Sequence, residues 1–171
     1  MLYREIPPFD VLRGEPSPYR GFGAPFPQSG EVAGFFQDVL HQARERIADG
    51  FGVSLGGSPE EIASALEDVV AAMWAEGWSP DAGDVNLFAR DIGVLLTNAV
   101  RAGLGGVLLL RSLSDLSYAS LWWSQSRIEA FPFHKAYKRL LRRDGESLTF
   151  FLSALGKMLA SPADKGPANG Q

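Results

Sequence analysis

The sequence predicts an α+β fold with three N-terminal helices, a small antiparallel three-stranded sheet and two C-terminal helices. Apolar residues recur at three- and four-residue steps before residue 104 and after residue 132, which is typical of amphipathic helices. Between these regions the pattern changes to short apolar runs joined by tight polar turns, which is typical of antiparallel strands. A chain of 171 residues is long enough for one domain, and without cysteine it forms no disulfide and no thiolate metal site.

The ends of the first three helices carry recognisable signals. The first helix is predicted to end at Asp49-Gly50. The second begins at Ser58-Pro59-Glu60-Glu61, which combines an N-cap serine, a proline in the first turn and a capping-box glutamate. The third is predicted to begin near Asp81 or Asp84. It ends at the run Gly103-Leu104-Gly105-Gly106, which follows a helix and therefore does not match a phosphate-binding loop.

The change in the spacing of apolar residues along the sequence predicts the strands and the last two helices. The predicted strands cover residues 107–110, 118–123 and 127–131, and Ser124-Gln125-Ser126 forms the turn between the second and the third. A helix is predicted from Pro132 to Asp144-Gly145. The last helix buries a face that consists of Leu148, Phe151, Leu152, Leu155 and Leu159.

Composition divides the chain into three parts. Residues 1–30 contain six of the eleven prolines together with several aromatic residues. We interpret this segment as an extended strap that packs on its own domain, or as an arm that binds a partner in polyproline form. Residues 31–160 are predicted to form the single α+β domain, and residues 161–171 a disordered tail.

Part of the second half resembles a family of uncharacterised bacterial α+β domains. The likeness covers roughly residues 84–160. The residues that carry it are Gly103 to Leu110, Pro132-Phe133-His134-Lys135-Ala136-Tyr137-Lys138-Arg139-Leu140, Gly145 and Ser147-Leu148. The resemblance implies a long helix, a β-meander and two final helices, and it supplies no catalytic residue. Some small bacterial proteins of this kind look like immunity or accessory partners of toxins, so the resemblance implies a partner protein.

The formal net charge is −4, but the charged residues are distributed unevenly along the chain. Residues 31–91 contain twelve acidic and three basic residues, whereas residues 92–143 contain two acidic and eight basic residues. The N-terminus lacks the apolar core of a signal peptide, and Arg101 interrupts the most apolar stretch. We therefore expect a cytoplasmic protein with no membrane span.

Two motifs suggest catalytic or metal chemistry, and each lacks the structural context that its chemistry requires. Gly52-Val53-Ser54-Leu55-Gly56 matches the serine nucleophile elbow, with His134 further along as a base, but a helix rather than a strand precedes it. Asp38, His41 and Glu45 share a helix face without the second carboxylate–histidine helix of a di-metal site. We predict no catalytic residue, no metal site and no cofactor.

The strongest functional feature is a basic stripe at helical spacing. It consists of Lys135, Lys138, Arg139, Arg142 and Arg143. If exposed, this stripe attracts an acidic protein surface, and an aromatic ring at Trp122 or Trp123 is a suitable anchor for the partner. The alternatives are a stripe paired with the chain's own acidic helices, a small serine hydrolase that uses Ser54 and His134, and binding of nucleic acid or another anionic surface. A sequence pI of about 5.2 makes nucleic acid the weaker candidate. We predict a non-enzymatic protein-interaction module.

Overall fold

A computed structural model describes residues 26–27, 30–79, 84–112, 116–145 and 147–161. Within these ranges the elements follow the predicted order of three helices, a sheet and two helices, which confirms the α+β fold. The helices are α1 (Gly30–Phe51), α2 (Pro59–Ala75), α3 (Val85–Leu104), α4 (Pro132–Leu141) and α5 (Leu148–Ala160). The strands are β1 (Phe26–Pro27), β2 (Val107–Leu110), β3 (Ser120–Trp123) and β4 (Ile128–Ala130).

Side-chain caps fix the helix starts where the sequence predicts them. The Ser58 hydroxyl accepts from the Glu61 amide at 3.2 Å, and the Glu61 carboxylate accepts from the Ser58 amide at 2.6 Å. The bond from the Ser58 amide to the carboxylate lowers the pKa of Glu61 most, and the Ser58 side chain lowers it further. Asp84 caps α3 in the same way, through the Leu87 amide. The first helix continues past the predicted stop to Phe51, and the chain turns at Gly52, where φ is +65°.

The strands form one antiparallel sheet in the order β1-β2-β3-β4. The three predicted strands are present, and the two-residue strand β1 adds to the edge beside β2. Strand β3 begins later than predicted because Leu116–Tyr118 forms a turn of 3₁₀-helix first. Leu108 lies opposite Leu121, and Val107 lies opposite Trp122, so the two pairs occupy opposite faces of the sheet.

The face of the sheet that carries Leu108 and Leu121 packs into the main core, whereas the other face buries an ion pair. Arg111 Nη2 donates to Glu129 Oε1 at 2.6 Å, and the Ser120 hydroxyl donates to the same oxygen at 2.5 Å. Arg111 Nη1 also donates to the Tyr118 carbonyl at 2.8 Å. Because Arg111 directly follows β2, while Ser120 and Glu129 lie in β3 and β4, the network fixes the position of these three strands relative to one another.

The central helix of the helical layer is α3, which packs against α1, α2 and α4. Gly93 allows α4 to approach closely, since a Cβ atom there would lie 2.8 Å from the Phe133 Cα. Asp91 of α3 is buried and accepts from Arg46 of α1 at 2.6 and 2.7 Å. The bond to Asp91 raises the pKa of Arg46, and the pair connects α1 to α3.

The predictions for the two ends of the chain fall mostly outside the described residues. Within residues 1–30 the structure describes Phe26–Pro27 and Gly30, and within residues 161–171 it describes Ser161. The strap, the arm and the disordered tail therefore stay predictions.

Candidate interaction surface

The fourth helix is shorter than predicted, and this changes the geometry of the basic stripe. Helix α4 ends at Leu141, and Arg142 has an extended backbone with φ −124° and ψ 107°. Lys135, Lys138 and Arg139 therefore lie on the helix, whereas Arg142 and Arg143 lie in the loop that follows. The five cations are close in sequence, but they do not form one helical stripe.

Arg139 explains why the helix ends early. Its Nη1 donates to the carbonyl oxygens of Arg142 and Arg143 at 3.0 and 2.8 Å. Since both carbonyls turn back toward the guanidinium, the chain after Leu141 leaves the helical path. The side chain thus satisfies backbone acceptors beyond the end of α4.

The same guanidinium binds the acidic helix α2. Nε and Nη2 of Arg139 lie 3.1 and 3.0 Å from Glu67 Oε2, and the side chains are only 13% and 16% exposed. The other carboxylate oxygen of Glu67 accepts from the Leu148 amide, in the first turn of α5. Arg139 is therefore paired with the acidic half of the chain, as one of the sequence alternatives predicts, and it connects α2, α4 and α5.

The remaining cations border an open cleft of about 440 Å³, here called the basic cleft. It is lined by Lys135, Lys138, Arg139, Arg142, Asp144 and Gly145. Lys138, Arg142 and the adjacent Arg143 are exposed, and none of the three forms an ion pair with a residue that the structure describes. Glu67 neutralises Arg139, so the exposed Lys138 and Arg142 contribute the positive potential of the cleft, with Asp144 opposing it.

His134 adds no charge to this cleft at neutral pH. It is 6% exposed on α4, and burial, with a smaller contribution from the charge of Lys138, lowers its pKa to about 4. The imidazole is therefore neutral near pH 7.

The predicted aromatic anchors belong to a different cleft. Trp123 lies against Gly106, and its indole N–H donates to the Leu104 carbonyl at 2.8 Å, so it supports the C-terminal end of α3. Trp122 is half-buried on the opposite face of the sheet, beside Val107. Both rings line a cleft of about 610 Å³ with Leu159 and the turn after β3, and this cleft shares no lining residue with the basic cleft.

Sequence reasoning missed an exposed apolar surface on α5. Phe150 is 56% exposed and Met158 is 51% exposed. The helical period predicts the buried face of α5, and Phe150 and Met158 lie outside that face. Apolar residues outside the buried face are the signal that finds this surface.

The residues of the hydrolase and metal motifs lie in different surroundings. Ser54 is exposed in the loop between α1 and α2, whereas His134 is buried in α4, and neither lines the basic cleft or the cleft at Trp122 and Trp123. His41 lies 3.3 Å from Glu45, with both side chains mostly exposed. Among the residues that the structure describes, no three histidine or acidic side chains come together as metal ligands.

The chain matches no protein-family model, no curated protein and no solved structure. No helix in the described ranges has both the length and the apolar character that crossing a membrane requires.

Proposed function

We propose that this chain is a non-enzymatic interaction module that binds an acidic surface of another protein through the basic cleft. We place it in a bacterial cytoplasm, in the role of an immunity or accessory partner. The observation that carries the proposal is the contrast between Arg139, which Glu67 neutralises, and Lys138, Arg142 and Arg143, which are exposed and lack a described ion-pair partner.

Electrostatics supports a protein partner over nucleic acid. Most acidic residues precede residue 92 and most basic residues of the domain follow it, so the charge is polarised along the chain, and the whole chain carries −4. Such a polarity orients an acidic partner toward the basic cleft and increases the rate of association. A polyanion such as RNA would meet repulsion from the rest of the molecule.

Affinity capture with matched charge reversals tests the proposal. The full chain, Lys138→Glu, Arg142→Glu and Arg44→Glu serve as baits, and captured proteins are quantified by mass spectrometry. Arg44 is exposed on α1 and controls for the change in net charge. We expect a protein that the wild type and Arg44→Glu retain and that both cleft variants lose.

The same variants separate a protein partner from other occupants. With the captured partner, the cleft reversals should reduce the association rate about tenfold at low salt and flatten its salt dependence. A captured set that is identical for all four baits would refute the proposal. A salt-sensitive shift of generic RNA or DNA that the cleft variants abolish, without loss of a captured protein, would replace it with nucleic-acid binding.

A further inference from the structure

An apolar ridge runs along the exposed side of α5. Phe150, Ala154 and Met158 are spaced four residues apart, so they form one row along the helix, here called the α5 ridge. Phe150 and Met158 are each more than half exposed, and they are two of the four large apolar side chains that the structure leaves exposed in its described ranges. The row spans about 12 Å, slightly more than two helical turns.

The shape of the α5 ridge suits packing against a second helix. Large side chains at its two ends flank the small Ala154, which leaves a notch between them. Rows of this spacing pack into the grooves of a second helix, and a small residue at the centre lets the helix axes approach. The ridge therefore fits the side chain of a partner helix rather than a flat surface.

Cations border the ridge on both sides. Lys157 is exposed in the last turns of α5, next to Met158. On the other side, the Lys135 ammonium of α4 lies 6.0 Å from the centre of the Phe151 ring, and Lys135 also lines the basic cleft. Lys135 therefore lies between the basic cleft and Phe151, the neighbour of Phe150 on α5.

We propose that the α5 ridge and the basic cleft together bind an amphipathic helix of the partner protein, with acidic residues on both sides of its apolar stripe. This inference rests on the proposed function and specifies the partner's chemistry. The apolar stripe of the partner packs on Phe150 and Met158, and its acidic residues face Lys157 on one side and Lys135 with Lys138 on the other.

The charges favour this occupant over a second copy and over a membrane. Two copies meeting ridge to ridge would bring Lys135 and Lys157 of both chains together, and like charges repel. Helices that bind lipid carry many cations and often tryptophan, whereas α5 contains one lysine and no tryptophan.

Two synthetic helical peptides with the same apolar stripe, one flanked by glutamate and the other by lysine, test the inference. The ¹⁵N-labelled full chain is titrated with each peptide and followed by NMR. We expect the glutamate peptide to bind, with shifts on α5 and around Lys138, and the lysine peptide to bind at least about tenfold more weakly. Similar affinities for both peptides, or shifts confined to other elements, would overturn the inference.

Variants of the ridge complete the test. Phe150→Ser combined with Met158→Ser should weaken glutamate-peptide binding roughly tenfold or more, whereas the exposed control Val107→Ser should leave it unchanged. Ridge-dependent binding to phosphatidylserine vesicles without peptide binding, or a ridge-dependent dimer in sedimentation, would overturn it in favour of a membrane or a second copy. If the captured partner is lost with Lys138→Glu but kept with the ridge variant, the proposed function stands and this inference falls.

Discussion

The Arg139 guanidinium of α4 donates to the Glu67 carboxylate of α2, and Glu67 also accepts from the Leu148 amide at the start of α5. Three helices therefore meet at one ion pair that is largely hidden from solvent. Removing one member of such a pair leaves the other charge without its partner, which costs more than the pair itself contributes.

We predict that Glu67→Gln lowers the free energy of unfolding by about 2–4 kcal/mol, because Arg139 then keeps its charge in a mostly buried position. Urea denaturation measures the change. Asp68→Asn is the control, since Asp68 is exposed on the same helix and its substitution should cost less than about 0.5 kcal/mol. Equal effects of the two substitutions would show that the ion pair does not hold the helices together.

The buried His134 predicts a loss of stability at acid pH. The unfolded chain protonates His134 below about pH 6.5, whereas burial holds the folded chain's pKa at about 4. Between these values the unfolded state binds more protons, so stability falls as the pH is lowered. From pH 7.5 to pH 4.5 this single group should remove about 2–3 kcal/mol of stability.

Denaturation at both pH values with two variants isolates this effect from the carboxylates. His134→Gln should lose less stability than the wild type on acidification, by about the 2–3 kcal/mol that the histidine contributes. His41→Gln, at the mostly exposed second histidine, is the comparison. The same pH dependence in both variants would contradict the buried, neutral state of His134.

The close approach of α3 and α4 depends on Gly93. A methyl group there would meet the Phe133 ring at 2.5 Å and its Cα at 2.8 Å, so Gly93→Ala should cost about 1–3 kcal/mol despite the better helix propensity of alanine. Gly156→Ala in α5 is the control. Its new methyl group would lie 3.7 Å from Leu104, and the substitution should stabilise the chain by roughly 0.5–1 kcal/mol. If thermal unfolding shows that Gly93→Ala is more stable than Gly156→Ala, the close contact between α3 and α4 is refuted.

Loss of the indole N–H should reduce stability more at Trp123 than at the adjacent Trp122. Trp123→Phe removes the bond to the Leu104 carbonyl and should cost about 1 kcal/mol or more. Trp122→Phe should cost clearly less, because Trp122 lies on the other face of the sheet, opposite Val107. Urea denaturation compares the two, and a larger loss for Trp122→Phe would contradict the assigned roles.

Sequence signals that involve only neighbouring residues predict where helices begin and end. The capping box at Ser58 and the α3 stop at Gly105 depend on residues within one turn, so the sequence reveals them directly. The end of α4 was misjudged because it depends on Arg139, whose ion-pair partner Glu67 is 72 residues away. Helical spacing alone does not show which carboxylate a cation meets after folding.

The candidate surface was predicted only in part for the same reason. The cations of the basic cleft follow from a run of basic residues, but the pairing of Arg139 and the separate cleft at Trp122 depend on tertiary packing. The α5 ridge is present in the sequence as Phe150 and Met158. Both residues lie outside the face that the helical period assigns to the core.

The central claim is that a partner protein occupies the surface formed by the basic cleft and the α5 ridge. Site-specific photo-crosslinking in native cells tests it most directly, with a benzophenone amino acid placed at Phe150, at Lys138 or, as the control, at Arg44. We predict that positions 150 and 138 crosslink the same protein and that position 44 does not. Crosslinking of that protein only from position 44, or equally from all three positions, would contradict the claim.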